Sequence, residues 1–566
     1  MEKSKLMSVF LFNKQMWKGD VVLHWCGAAV TVLAVAWMLA APCQAGSRDE
    51  VQSSSGNERA SINGTLQSGS RPIARATVIL YRAGDEAGGA TTRLGKGETN
   101  AAGRFSIAYR QPTGNAVLYL VARGPADSRH FDPPVKLAAV LGRSLPRVTS
   151  VVINERTTVA AAWSMAQFLE GENLAGKSPG LLNAAGMNAN LVDVRTGRIA
   201  RVLGTHPNGS ETTSLATFNT LANMIAACVS LTTRDACTEL FSLATPPDGL
   251  QPNDTLAAAL NIAHYPVNNA QALFIFSMLE RKYRPVLHRS PDAWTLCLKF
   301  TGSGFDGPAN MVFDPDGNVW STNNYEFGTT TGAPGDVIIK LSPTGVPAPG
   351  TPFSGGGVLG SAFGIAMDQD GFVWVGNFAK NETLQTNGSV SKFSSDGTPL
   401  SPDSGFTEGG ANQVQGLAVD QKGSIWFANF GNDSIGMYPG GKPDLAKNIT
   451  GGGLSRPFGV AIDGQGYAWV TNGAFANSTD SVSKFTSDGA PVTGSPFTGG
   501  GLNSPKGIAI DSQGNAWVAN LGQLPLQSSD TVTMLGPDGR PAAGTPFSGG
   551  GILGAWGIAV DGKDNI

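Results

Sequence analysis

The sequence predicts a mainly β protein: a six-bladed β-propeller whose last blade is incomplete, preceded by a small β-sandwich and a small α-helical domain. Three observations predict it. The phrase "GIAIDSQGNAWVAN" at 507–520 is one of five complete copies of a pattern, with a sixth copy, "GIAVDGKDNI", at 557–566. The copies are spaced by about 50 residues, the length of a four-stranded blade. The chain also carries 74 glycines among 566 residues and only 15% charged residues, a composition of short apolar runs joined by glycine turns. At this length one core is too few, and two to four domains are expected.

From the N-terminus, Lys3, Lys5, Lys14 and Lys18 precede the apolar run "AAVTVLAVAWMLAAP", and "CQA" at 43–45 fits a small-x-small cleavage site. Residues 1–45 therefore read as a signal peptide, removed after Ala45, of an exported protein: periplasmic, extracellular or cell-surface. Val21–Ala41 is nearly long enough to span a bilayer, so membrane association is expected only if the segment is retained. Pro42 before Cys43 speaks against a lipoprotein site. Residues 46–60 are polar and read as a disordered linker. In an oxidising compartment Cys228 and Cys237 are the natural disulfide pair. Closing so short a loop contributes roughly 2–3 kcal/mol. Cys297 is left over and is expected to be buried in a strand.

Residues 61–125 hold "ATVILY" and "RFSIAY", which alternate apolar and polar as half-buried strands do, and "TNAAGRF", which places Gly103 at a hairpin turn. Together these stretches resemble the carboxypeptidase-regulatory-like (transthyretin-like) β-sandwich. The resemblance implies a structural appendage without chemistry of its own. Residues 150–284 carry apolar residues at helical spacing in "TTVAAAWSMAQFL", "LATFNTLANMIAAC", "NDTLAAALNIAHY" and "NAQALFIFSML". Thr157, Thr213 and Asp254 are the expected helix caps.

The propeller is expected over 293–566. Each unit reads as strand a ("GIAID"), a tight turn, strand b ("AWVAN"), a loop, strand c ("SVSKF") and strand d ("GSPF"). The turn aspartates are Asp314, Asp368, Asp420, Asp463, Asp511 and Asp561. An aspartate there can accept from backbone amides two residues on, and the glycine three on supplies positive φ. Six residues on stand Trp320, Trp374, Trp426, Trp469 and Trp517, expected to fill the space between blades. Nine on stand Asn323, Asn377, Asn429, Asn472 and Asn520, expected to tie each b–c loop through side-chain to backbone bonds. "AWTLCLKF" (Ala293–Phe300) occupies the register of strand d in a blade whose strand a comes last. That arrangement closes a ring, and on this reading strands b and c of the closing blade lie beyond Ile566. The units are similar to NHL-type repeats of secreted bacterial propellers and to the streptogramin (virginiamycin B) lyase-like group.

Charge divides sharply along the chain. From Thr301 onward there are 11 Lys and Arg against 22 Asp and Glu, so a total of −3 splits into −11 there and +8 elsewhere. An acidic propeller repels phosphate backbones, and nucleic acid is not an expected partner. "DPDGN" (Asp314–Asn318) echoes the start of a calcium loop, but the second acidic position holds Lys422 and Gln465 in other copies, which makes it a turn. "GSGFDG" (Gly302–Gly307) opens no helix and is not a dinucleotide loop. No cofactor is expected; calcium is the one ion considered.

The lyase resemblance implies a histidine near a bound metal. The histidines are His24, His130, His206, His264 and His288, and none lies in the propeller. "HY" at His264–Tyr265 reads as helix packing. The gluconolactonase-like alternative implies calcium held by Asn, Asp and Glu around the channel. A residue obeying the repeat serves the fold; a functional one breaks it. The position five before each aspartate breaks it, with Ala309, Phe363, Gln415, Phe458, Lys506 and Trp556. Phe363, Gln415, Phe458, Lys506 and Trp556 are the expected ligand-binding residues at the channel mouth, with no catalytic or metal-binding residue assigned. The function that follows is a binding or scaffold protein for a protein, glycan or small molecule. The competing reading is a metal-dependent lyase or lactonase-type hydrolase acting at the channel.

Overall fold

The computed structural model describes residues 58–566 except 115, 125–134, 145–146, 231, 234, 248, 306, 325–334, 359–361, 379–387, 474–479, 523–529, 550–551, 553, 562–563 and 565. The expected signal peptide and most of the linker lie outside the described residues. Among the described residues, no helix is long and apolar enough to cross a membrane.

Two sheets open the structure. One orders β7 (Ser150–Ile153), β1 (Arg59–Ser68) and β4 (Arg104–Arg110), with β7 parallel to β1. The other orders β3 (Thr92–Glu98), β2 (Thr77–Arg82), β5 (Val117–Arg123) and β6 (Lys136–Arg143). β4 alternates exposed and buried along its length, as "RFSIAYR" dictates, whereas "VLYLVA" in β5 is buried on both faces. The expected end of this unit at residue 125 is too early, because β6 and β7 complete its sheets. The expected hairpin at Gly103 is also corrected. Gly103 has φ 69° and its N–H reaches the Asn100 carbonyl at 2.8 Å, but the strands it joins enter different sheets.

Six helices of eight residues or more follow among the described residues, besides a single turn at Arg201–Gly204: α1 (Glu155–Ser164), α2 (Gly180–Leu191), α3 (Ser214–Val229), α4 (Ala236–Leu243), α5 (Thr255–His264) and α6 (Ala270–Ser277). They do not form a separate core. One continuous cluster of buried apolar residues runs from Ala60 through Leu120, Val159 and Phe218 to Trp294. The segment expected to be wholly helical begins with β7, whose pairing with β1 fastens the helices to the sheets. Asp254 caps α5 by accepting from Ala257 N–H at 2.8 Å. Asn154, not Thr157, caps α1; Thr157 stands three residues in and returns the bond to the Asn154 N–H at 2.9 Å. Thr213 precedes α3 without a side-chain cap. Cys228 and Cys237 form the disulfide joining α3 to α4. Cys297 is exposed and lies outside any strand, because Trp294 takes the buried place in its segment.

The C-terminal half is a β-propeller assembled from consecutive antiparallel sheets. The first pairs β8 (Pro308–Phe313), β9 (Val319–Asn323) and β10 (Ile338–Leu341). The second pairs β11 (Ala362–Met367), β12 (Val373–Asn377) and β13 (Ser389–Phe393). The third adds a full fourth strand: β14 (Val414–Val419), β15 (Ile425–Asn429), β16 (Ser434–Tyr438) and β17 (Lys447–Thr450). The fourth holds β18 (Val460–Ile462), β19 (Ala468–Asn472) and β20 (Ser481–Phe485), and the fifth β21 (Pro505–Ile510), β22 (Ala516–Asn520) and β23 (Thr531–Leu535). Elsewhere strand d is reduced to isolated bridges such as Ile338 with Phe353, Val482 with Phe497 and Val532 with Phe547.

Four of the five tryptophans belong to the core between their own blade and the next. Trp320 packs with Ile365, Val373 and Val375; Trp374 with Leu417 and Phe427; Trp426 with Ala468 and Val470; Trp469 with Ile508 and Val518. First strands of successive sheets lie side by side. A side chain at Gly364 or Gly416 would overlap the Gln415 or Phe458 carbonyl oxygen of the next blade. At Gly459 a Cβ would lie 2.5 Å from the Lys506 oxygen, and at Gly507 2.7 Å from that of Trp556. Blade one has Asn310 in this place, and its Nδ2 donates to the Phe363 oxygen at 3.1 Å instead.

We expect Gly459→Ala to lower propeller stability by roughly 1–3 kcal/mol, as overpacking against backbone does. Gly464→Ala, where a Cβ meets nothing within 4 Å, leaves it unchanged or slightly raised. Denaturant unfolding of the two variants checks this pair.

Candidate functional site

The repeat residues form an internal lock. Asp463 accepts from the amides of Gln465 at 3.0 Å and Tyr467 at 2.9 Å, and from the Trp469 indole N–H at 2.9 Å. Asp368, Asp420 and Asp511 do the same with Trp374, Trp426 and Trp517 at 2.8, 3.1 and 2.9 Å. In the first copy the Trp320 N–H reaches Asp314 at 3.3 Å. The aspartate thus closes the turn and also fixes the ring six residues on. Sequence reading assigned it only the amides; the constant spacing of six was the signal for the indole.

Strand c supplies a further partner. Lys340 and Lys484 lie opposite Trp320 and Trp469, over their rings at 4.8 and 4.2 Å, and pair with Asp314 and Asp463 at 3.0 and 3.1 Å. Hydrogen bonds from Asn318 and the Lys340 ammonium outweigh burial and hold the Asp314 carboxyl below its ordinary value.

The asparagines are also buried inside the blades. Asn377 Nδ2 donates to Ser389 and Ser391 at 3.1 and 2.8 Å, Asn472 to Ser481 and Ser483 at 3.3 and 2.9 Å, and Asn520 to Thr531 and Thr533 at 3.1 and 2.9 Å. Asn429 reaches Ser434 and the Gly409 carbonyl, both at 3.1 Å, and Asn323 the Gly304 carbonyl at 2.6 Å. Their main partners are hydroxyls of strand c, rather than the backbone of their own b–c loop as the sequence suggested. The alternating Ser-x-Ser and Thr-x-Thr of strand c carried that information.

The position that breaks the repeat gathers at the channel. The Phe363 and Phe458 rings meet edge to face at 5.2 Å, and Phe458 and Trp556 lie 5.7 Å apart. These residues come from different blades, brought together by the glycines that follow them. Lys506 Nζ sits 5.2 Å from the Phe458 ring centre and 5.6 Å from that of Trp556, and donates to Ser504 Oγ at 3.1 Å. Phe458, Gln415 and Lys506 are buried, whereas Phe363 and Trp556 are half-buried and form the accessible edge. Gln415 Oε1 has no hydrogen-bond partner among the described residues. Burial drives the Lys506 amine down to about 7, opposed by the charge of Asp480. Burial in turn raises the Asp480 carboxyl, against a bond from Ser504 and the charge of Lys506.

Among the described residues no three His, Cys, Asp or Glu side chains gather in a way that could hold a metal ion. His264 donates from Nε2 to the Ala166 carbonyl, 2.7 Å away, and ties α5 to the segment after α1.

No protein-family model matches the chain, and no curated protein matches it. Solved structures show distant likeness. A virginiamycin B lyase from Staphylococcus aureus, crystallised with quinupristin, is 16% identical over 45% of this chain and 75% of its own, with a TM-score of 0.32. A gluconolactonase from Xanthomonas campestris is 17% identical over 46% and 80%, with a TM-score of 0.31. Regucalcin, a calcium-binding protein from Agrobacterium tumefaciens, is 15% identical over 45% and 79%, with a TM-score of 0.30. At these values the likeness assigns no activity, metal or substrate to this chain.

Lys506 gives a pH test with a definite sign. The unfolded chain carries this charge below about 10.5, whereas the folded protein carries it only below about 7. Between those values the unfolded chain binds more protons, so stability falls as pH drops from about 10.5 to about 7 and then levels. We expect Lys506→Met to be more stable than the parent at pH 6, by on the order of 3–5 kcal/mol at most. The gap narrows towards pH 10, as thermal unfolding across pH will show.

Proposed function

We propose that the chain is an exported binding protein in which a six-bladed propeller presents its channel mouth as the recognition face. The observation that carries this reading is the convergence of Phe363, Phe458, Trp556 and Lys506 at the one repeat position where the blades disagree. The repeated Asp, Trp and Asn side chains are consumed by the fold, which leaves this ring as the part of the repeat able to encode a ligand. Its half-buried aromatic edge suits an apolar or ring-shaped face of a small molecule, glycan or peptide.

Two contacts support a ring of six units. The Gly507 N–H donates to the Trp556 carbonyl at 2.8 Å, as the Gly416 N–H does to that of Phe458 at 2.7 Å, which is what a further strand a at 556–561 would require. Phe300 packs on Gly345 as Phe353 packs on Gly397 and Phe497 on Gly539, which is what a strand d at 293–300 before blade one would require. A closing unit shared by the two segments is part of this proposal. The lysines and apolar run read as a signal peptide at 1–45 support export, and the sheets and helices before the propeller are proposed to act as a scaffold.

The test is calorimetric screening of aromatic and cyclic small molecules against the full chain. Ligands of the channel mouth are expected to lose at least tenfold in affinity in Phe363→Ala and Trp556→Ala. Binding indifferent to both substitutions, or metal-dependent turnover of lactones or streptogramins, would contradict the proposal.

A further inference from the structure

A second surface, remote in sequence from the channel, carries its own recognition chemistry. The outer face of the β7–β1–β4 sheet is polar and basic. Cross-strand pairing sets Thr65 opposite Arg104, Asn63 opposite both Ser106 and Ser150, and Arg59 opposite Arg110. Arg59, Asn63, Arg104, Ser106, Arg110 and Ser150 are all exposed. At one end of this face lies a groove of about 350 Å³, lined by Asn63, Thr65, Arg104, Phe105, Ser150 and Arg195. No acidic side chain lines it. Asp193 is the acid beside Arg195, 3.6 Å from its Nε with both side chains open to solvent, a pairing of little strength.

The arginines are spaced along a strand. Arg104 and Arg110 are six residues apart on β4, about 20 Å at strand rise. Arg59 meets Arg110 at the far end, so two basic ends flank a row of hydroxyl and amide groups. The surrounding region is basic as a whole: residues 58–153 hold thirteen Lys and Arg against six Asp and Glu.

We propose that this groove and face bind an acidic polysaccharide of the uronate type. Arginine forks match carboxylates bidentately, while Asn63, Thr65, Ser106 and Ser150 offer donors and acceptors suited to sugar hydroxyls. The flat sheet accommodates an extended chain, and the groove holds one acidic residue between Arg104 and Arg195. A lipid surface is disfavoured, because no large apolar side chain is exposed among the described residues of 58–153.

The test titrates the full chain with alginate oligosaccharides at 50 and 300 mM salt by calorimetry. The account expects binding of alginate and not of neutral dextran, weaker at the higher salt. The double variant R104A/R195A is expected to lose at least tenfold in affinity at unchanged melting temperature. Arg540→Ala, on the propeller, retains wild-type affinity. Absence of alginate binding at 50 mM salt, undiminished binding by R104A/R195A, or equal binding of dextran would overturn the proposal. So would equally tight binding of polyphosphate or of phosphatidylglycerol vesicles through the same arginines. Each of these outcomes is independent of Phe363 and Trp556 and leaves the channel reading untouched.

Discussion

The close approach of neighbouring first strands is the constraint on which the propeller depends. The Lys506 carbonyl would stand 2.5 Å from a Cβ at Gly459, and the Trp556 carbonyl 2.7 Å from one at Gly507. Only glycine permits that distance, or, in blade one, an asparagine that converts the approach into a hydrogen bond through Asn310. The approach sets how narrow the channel is. A narrow channel forces the residue before each glycine inward, and so Phe363, Phe458 and Trp556 touch although nearly 200 residues separate the first from the last. The amine of Lys506 is desolvated for the same reason.

A second interaction lets the blades stand so close. The Asp–Trp bond across each first hairpin holds a large ring at one angle, and the ring then fills the gap to the next blade. Trp320, Trp374, Trp426 and Trp469 are fully buried in these inter-blade cores. At Lys340 and Lys484 on strand c the carboxylate gains an ion pair and the indole face a cation, while Lys392 supplies a cation over Trp374. Where strand c offers Met437 or Met534, the same place is filled by a flexible apolar chain. The lock therefore tolerates change on strand c but not at the aspartate or the tryptophan.

Much of this was legible in the sequence, because repetition separates fold from site. The spacing of Asp, Trp and Asn located strands a and b in every complete copy, and the Cys228–Cys237 pair was the natural one in an oxidising compartment. The variable position five before each aspartate pointed to the residues that meet in the channel. Other features were hidden because they depend on contacts distant in sequence. The partners of Asn377 and Asn472 lie on strand c. The pairing of β7 with β1 joins residues about ninety apart, so the N-terminal sheets and the helices look like separate domains when read linearly. Cys297 departs from expectation for a related reason, since the strand-like "AWTLCLKF" pairs with no strand among the described residues and buries its tryptophan instead.

Whether the glycine ring compresses the variable residues into one desolvated cluster is read from the titration of the Lys506 amine, followed by NMR of selectively labelled lysine and assigned with Lys506→Met. A midpoint near 7 is expected. A midpoint at the ordinary lysine value near 10.5 would show the amine in water, and with it a channel open beside Gly459 and Gly507.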